Sequence, residues 1–147
     1  MKILIVDDEE MIRGVLREYI EFEGNQADEA ADGMEAVKMC RENDYDLVLM
    51  DVMMPRLDGF SAVKEIRKEK DVPVIMLSAR GEEYDKLFAF EIGVDDYVTK
   101  PFSPKEVMAR INAVTKRKAA KQKQDESRVI RFEGLEIDMA GRNVYVD

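Results

Sequence analysis

Met1-Lys2-Ile3-Leu4-Ile5-Val6-Asp7-Asp8 opens the chain with four apolar residues in a row and then two adjacent acids. Apolar positions this continuous describe a strand covered on both faces, since a half-exposed strand would alternate. The same pattern returns at Asp46–Met50 and Val72–Ser78, with a weaker strand at Gln26–Ala30 and a short one at Tyr97–Thr99. Amphipathic stretches lie between these runs. Ile12, Val15, Leu16, Tyr19 and Ile20 follow helical spacing and stop before Gly24. Ala36, Val37 and Cys40 mark a second helix after Gly33; Phe60, Val63 and Ile66 mark a third after Gly59. Leu87 to Ile92 forms a fourth that ends at Gly93. A fifth, carrying Val107, Met108, Ile111 and Val114, opens after Ser103-Pro104, a cap followed by a first-turn proline.

Strand and helix alternating five times predict an α/β fold, a doubly wound five-stranded parallel sheet with right-handed crossovers. Ligands of such sheets bind at the carboxyl ends of the strands. The residues just past each strand therefore matter most.

Composition narrows the chemistry. The chain has 147 residues, 46% hydrophobic and 37% charged, enough for one domain and part of another. A net charge of −9 argues against a nucleic-acid grip by the whole chain. With no histidine and one cysteine, neither a usual zinc site, a Ser-His-Asp triad nor an internal disulfide is available. Cys40 falls in a helical apolar stripe and reads as a small buried hydrophobe. No apolar run is long enough for a signal peptide or a membrane span, so a cytoplasmic protein is expected.

Asp7-Asp8 follows the first strand, Asp51 the third, Ser78 the fourth and Lys100-Pro101 the fifth. Taken singly, each has an ordinary structural role: acids at a helix N-terminus, a turn aspartate, a capping serine, a solvated lysine. Together they converge on one rim of the sheet. Three carboxylates that close do not all ionise cheaply without a cation, and magnesium suits a small set of oxygen ligands. A spare Asp51 oxygen then serves as nucleophile toward a phosphoryl group, with Lys100 and Ser78 offsetting charge.

At this point the motifs themselves are informative. Ile5-Val6-Asp7-Asp8-Glu9, Asp32-Gly33, Leu49 through Gly59, Ile75 through Ala79 and Gly93 through Phe102 resemble the receiver domain of two-component response regulators. The resemblance covers about residues 1–118 and implies the flavodoxin-like, CheY-like form of the fold. It implies that Asp51 is the phosphoacceptor, charged by a sensor histidine kinase or a small phosphodonor. Asp8, Asp51 and the Met53 backbone carbonyl would hold Mg2+, with Asp7 acting partly through water. Lys100 would pair with the phosphoryl oxygens, and Lys100-Pro101 would be cis. Ser78 would move to the phosphoryl group while Tyr97 turns inward; Met53 and Arg80 would tune the lifetime of the modified form. A phosphatase with an aspartyl intermediate is a rival reading, but the Asp-x-Asp pattern of haloacid-dehalogenase enzymes is missing at Asp51-Val52-Met53.

Lys86, Glu91, Asp95, Asp96, Glu106, Arg110 and Arg117 surround Leu87, Phe90 and Met108 with charges of both signs. This resembles the homodimer face of the OmpR/PhoB subfamily, built from the fourth helix, fifth strand and fifth helix. Lys86 with Glu106 and Arg110 with Asp96 are the expected pairs between subunits. A solvated face with weak salt bridges is the plainer alternative.

Composition shifts at Lys116: residues 1–115 carry a net −11 and residues 116–147 a net +2. Residues 119–128 read as a linker. Val129–Phe132, Gly134–Ile137 and Asn143–Val146 read as a short antiparallel β segment, so residues 129–147 resemble the strands that open a winged-helix effector domain. DNA binding is expected only of a longer form carrying the recognition helix. A stand-alone module that docks partner proteins is the competing view.

Overall fold

The computed structural model describes residues 1–79, 81 and 83–134, with side chains as far as 121. Among the described residues, five strands alternate with five helices. They are β1 (Lys2–Val6), α1 (Glu10–Phe22), β2 (Gln26–Ala30), α2 (Gly33–Glu42), β3 (Leu47–Asp51), α3 (Gly59–Arg67), β4 (Val74–Ser78), α4 (Glu83–Glu91), β5 (Asp96–Thr99) and α5 (Pro104–Gly134). All strand pairs are parallel, in the order β2-β1-β3-β4-β5. The direction of winding changes between β1 and β3, and the carboxyl ends of those two strands are where a ligand is expected.

Strand residues divide by parity between two cores. Leu4, Val6, Val48, Met50, Val74, Met76 and Tyr97 pack with Ala36, Val37 and Cys40 of α2, Ala62, Val63 and Ile66 of α3 and Ala89 of α4. Ile3, Ile5, Leu47, Leu49, Ile75, Leu77 and Val98 pack with Leu16 and Ile20 of α1 and Val107, Met108, Ile111 and Val114 of α5. That is why the strand sequences are apolar throughout: both faces of the sheet are covered.

Helix starts follow capping chemistry. Asp32 caps α2 by accepting from the Glu35 N–H, and Glu35 accepts in return from the Ala31 N–H. Asp58 caps α3 through the Ser61 N–H, and the Ser103 hydroxyl accepts from the Glu106 N–H beside Pro104.

The described part of the C-terminal segment differs from the expected linker and first strand. The chain divides into two units, Met1–Thr115 and Lys116–Asp147. α5 continues through Gly134, where the sequence reading places a linker over 119–128 and a strand at Val129–Phe132. Lys105 to Glu133 contains neither proline nor glycine, and Lys116–Lys123 is made of strong helix formers, so local propensity carries the helix on. The other strands expected in the tail lie, from Leu135 onward, outside the described residues.

Candidate functional site

β1 and β3 are neighbours in register, with Val6 opposite Met50, so Asp7 leaves β1 beside Asp51, the last residue of β3. One carboxylate oxygen each from Asp7, Asp8 and Asp51 lies within 4.8 Å of the other two. Asp7 is fully buried and Asp51 only 4% exposed, whereas Asp8 faces solvent. Asp7 is tied down by both backbone and side chain. Its N–H donates to the Ala30 carbonyl at 3.1 Å, and its Oδ1 accepts from the Glu9 N–H at 2.8 Å. Oxygen-only donors with high negative charge fit a hard dication such as magnesium.

Lys100 supplies the opposing charge. Its Nζ stands 3.1 Å from Asp7 Oδ2, 3.5 Å from Asp51 Oδ1 and 3.8 Å from Glu9 Oε1. The Lys100 N–H donates to the Ser78 carbonyl at 2.7 Å, and the Lys100-Pro101 peptide is cis. Burial pushes the Asp51 carboxyl up to about 6; the Asp7 charge adds to this, and Lys100 opposes it. Burial also disfavours the Lys100 ammonium, but Asp7 and Asp51 outweigh that and hold its pKa above the ordinary lysine value.

The loop after Asp51 is held close. Gly59 N–H donates to the Val52 carbonyl at 2.8 Å, and a Cβ at Gly59 would run into the Asp51 carbonyl. Gly33 likewise lets α2 start against the Leu57 carbonyl. Arg56 adopts a left-handed backbone (φ 69°) and pairs with Asp32 at 2.9 Å. Met53 is exposed on this loop and, with Asp8, Met54 and Phe60, lines a cleft of about 430 Å³ beside the carboxylates.

Ser78 ends β4 fully buried, opposite Thr99 in register. Tyr97 is 7% exposed and packs in the α2–α3–α4 core, the inward position that the sequence resemblance assigns to the modified form.

The expected dimer face is only partly present as a surface. Leu87 and Phe90 are 58% and 48% exposed, and Glu91, Glu106 and Arg117 are exposed with Lys86 half-buried. Met108, assigned to the centre of that face, belongs instead to the core under α5 at 3% exposure. Its position one residue after Val107 in the helix does not distinguish the two sides by spacing alone. Asp95 is drawn away as well: its Oδ2 accepts from the Val74 N–H at 2.9 Å and faces Arg67 at 3.4 Å. Arg110, expected to reach Asp96 of a second subunit, pairs with Asp96 of its own chain at 3.0 Å and with Glu106 at 3.3 Å.

Arg13 is a contact that spacing did not reveal. Its Nη1 donates to the Asp7 carbonyl at 2.7 Å and its Nε to Glu29 Oε1 at 2.9 Å. A cation in the first turn of a helix was the available signal, being unfavourable there without a specific partner.

A parallel sheet in this order, with an acidic cluster and a lysine at its carboxyl edge, defines a doubly wound α/β domain with a polar ligand site at its switch point. Residues 3–112 match the family model for the response regulator receiver domain, and the chain belongs to that family. It is 43% identical over 150 residues to the transcriptional regulatory protein SrrA of Staphylococcus aureus (strain NCTC 8325 / PS 47), covering 99% of this chain. The chain spans 62% of the length of that relative. Among solved structures it resembles the Francisella response regulator 1452 receiver domain, with a TM-score of 0.76 and 40% identity over 80% of this chain and 98% of that one. A chain of the CheX-CheY-BeF3-Mg+2 complex from Borrelia burgdorferi is also similar, with a TM-score of 0.75 and 32% identity over 78% of this chain and 88% of that one. Among the described residues, no helix is long and apolar enough to cross a membrane.

Proposed function

We propose that this receiver domain is a phosphorylation switch in which Asp51 is the acceptor. The observation that carries this reading is the approach of the Asp7, Asp8 and Asp51 carboxylates to within 4.8 Å, with Lys100 Nζ 3.5 Å from Asp51. An Asp51 oxygen attacks the phosphorus of a phosphohistidine on a sensor kinase, or of a small acyl phosphate. The P–N or P–O bond of the donor breaks, and its imidazole or carboxylate leaves with the electron pair. Asp7, Asp8, Asp51 and the Met53 carbonyl would hold magnesium, which when bound neutralises phosphoryl charge. Lys100 takes up a phosphoryl oxygen as its pairing with Asp51 is lost, and Ser78 and Tyr97 relay the change.

The modified form dimerises through α4, β5 and α5, centred on Leu87 and Phe90, with Lys86 and Glu106 pairing between subunits. The segment that follows α5, from Leu135, opens a winged-helix effector domain, so that a longer form binds DNA and controls transcription in the cytoplasm. The match to SrrA over 99% of this chain, tail included, supports that extension.

Intact-mass measurement after incubation with acetyl phosphate and magnesium tests the acceptor. The chain is expected to gain one phosphoryl group and Asp51→Asn none; equal labelling of both overturns the assignment. Size measurement with beryllofluoride and magnesium tests the coupling, with a shift to dimer expected and its absence counting against it.

A further inference from the structure

We propose that Arg13 is a positioning residue for the dication site: it clamps the Asp7–Asp8 peptide and so aims the Asp8 carboxylate. The inference rests on the magnesium reading above.

Arg13 lies in the first turn of α1, where outward-pointing N–H groups favour anions, and its side chain is only 15% exposed. A cation with so little water around it needs specific partners. It has two. Glu29, on edge strand β2, accepts from Arg13 Nε at 2.9 Å, and its other oxygen accepts from Arg17 Nη1 at 2.7 Å. Glu29 is thus held by two guanidinium groups and fixes the plane of the first. The remaining fork of Arg13 reaches the Asp7 carbonyl at 2.7 Å.

That carbonyl shares a rigid peptide plane with the Asp8 N–H. Fixing its oxygen fixes the rotation of the plane, and with it the direction in which Asp8 leaves the backbone. Asp7 is independently held by Ala30, Glu9 and Lys100. Asp8 is exposed, so its aim depends on the backbone beneath it. Groups that orient metal ligands in this way commonly account for 10–100-fold in affinity.

The test is calorimetric titration of the full chain with magnesium alone at neutral pH, with no phosphodonor, at a temperature where circular dichroism shows every variant folded. Arg13→Ala is expected to weaken the magnesium Kd about tenfold. Arg17→Ala removes an equivalent ion pair to Glu29 without touching Asp7, and is expected to bind as the unsubstituted chain does. If Arg13→Ala does not fold, Arg13→Lys takes its place; one ammonium serves Glu29 or the carbonyl but not both, and a several-fold loss is expected. Unchanged affinity in the Arg13 variant, or equal losses in both arginine variants, overturns the clamp. Failure of the unsubstituted chain to bind magnesium overturns the metal reading and the clamp together.

Discussion

Lys100 and Asp7 are 93 residues apart in sequence, yet Nζ and Oδ2 stand 3.1 Å from each other at the carboxyl edge of the sheet. The lysine follows edge strand β5 and the aspartate follows β1, with β3 and β4 between them. A single ammonium thus spans the rim, and it touches Asp51 on the way at 3.5 Å. The site is one electrostatic unit, and changing any member alters the others.

Asp51 is the member under most strain. Its carboxyl titrates at about 6 in the fold against an ordinary 3.8, chiefly because of burial and then because of Asp7. Between those values the folded state holds a proton that the unfolded state has lost. Stability therefore falls as pH rises through this window, and the loss is complete above about 6. Asp51→Asn is expected to be more stable than the unsubstituted chain at pH 7 without metal, by on the order of 2–3 kcal/mol, with the gain gone below about pH 4. Urea unfolding at both pH values checks it. A less stable variant at pH 7 would sink the electrostatic account.

Lys100→Ala removes the cation that offsets Asp7 and Asp51. Magnesium binding is expected to survive, because the oxygen donors remain, while beryllofluoride-driven dimerisation is lost. Calorimetry and sedimentation measured on the same sample separate the two effects. A variant that dimerises normally would show that the lysine does not couple the site to the switch.

Gly59→Ala places a methyl group against the Asp51 backbone carbonyl, which the close approach of α3 does not accommodate. A loss on the order of 1–3 kcal/mol is expected, typical of overpacking. Thermal melting reads this directly, and an unchanged midpoint would mean that α3 shifts freely.

Burial raises the Cys40 thiol to about 11 from an ordinary 9.0, against a smaller opposing effect of Lys70. That lowers the thiolate fraction at neutral pH roughly a hundredfold. Iodoacetamide is expected to label the folded chain far more slowly than the chain in urea. Comparable rates would place Cys40 at the surface.

Much of the site is legible in the sequence. Asp7, Asp51, Ser78 and Lys100 stand out because each follows or ends an apolar run, and in a parallel sheet the ends of such runs share an edge. Arg13 and Glu29 do not stand out, for the opposite reason: their pairing joins α1 to edge strand β2, and no period connects them. Met108 lies in the core rather than on the outer face of α5 beside its inward-facing neighbour Val107, so the apolar stripe there is two residues wide and spacing does not assign its side.

Local pattern alone determined the five strands, the starts of α2, α3 and α5 beside Asp32, Asp58 and Ser103, and the acidic character of the rim. These depend on residues within a few positions of one another, where periodicity and capping act. The tertiary fold decided how far the carboxylates stand from Lys100, how deep Asp51 lies, and that Arg110 keeps Asp96 within its own chain. Such features arise from contacts between distant segments, whose distances no local rule encodes. The course of α5 past Thr115 shows the balance from the other side: Lys116–Lys123 is made of strong helix formers, and the helix continues through it to Gly134.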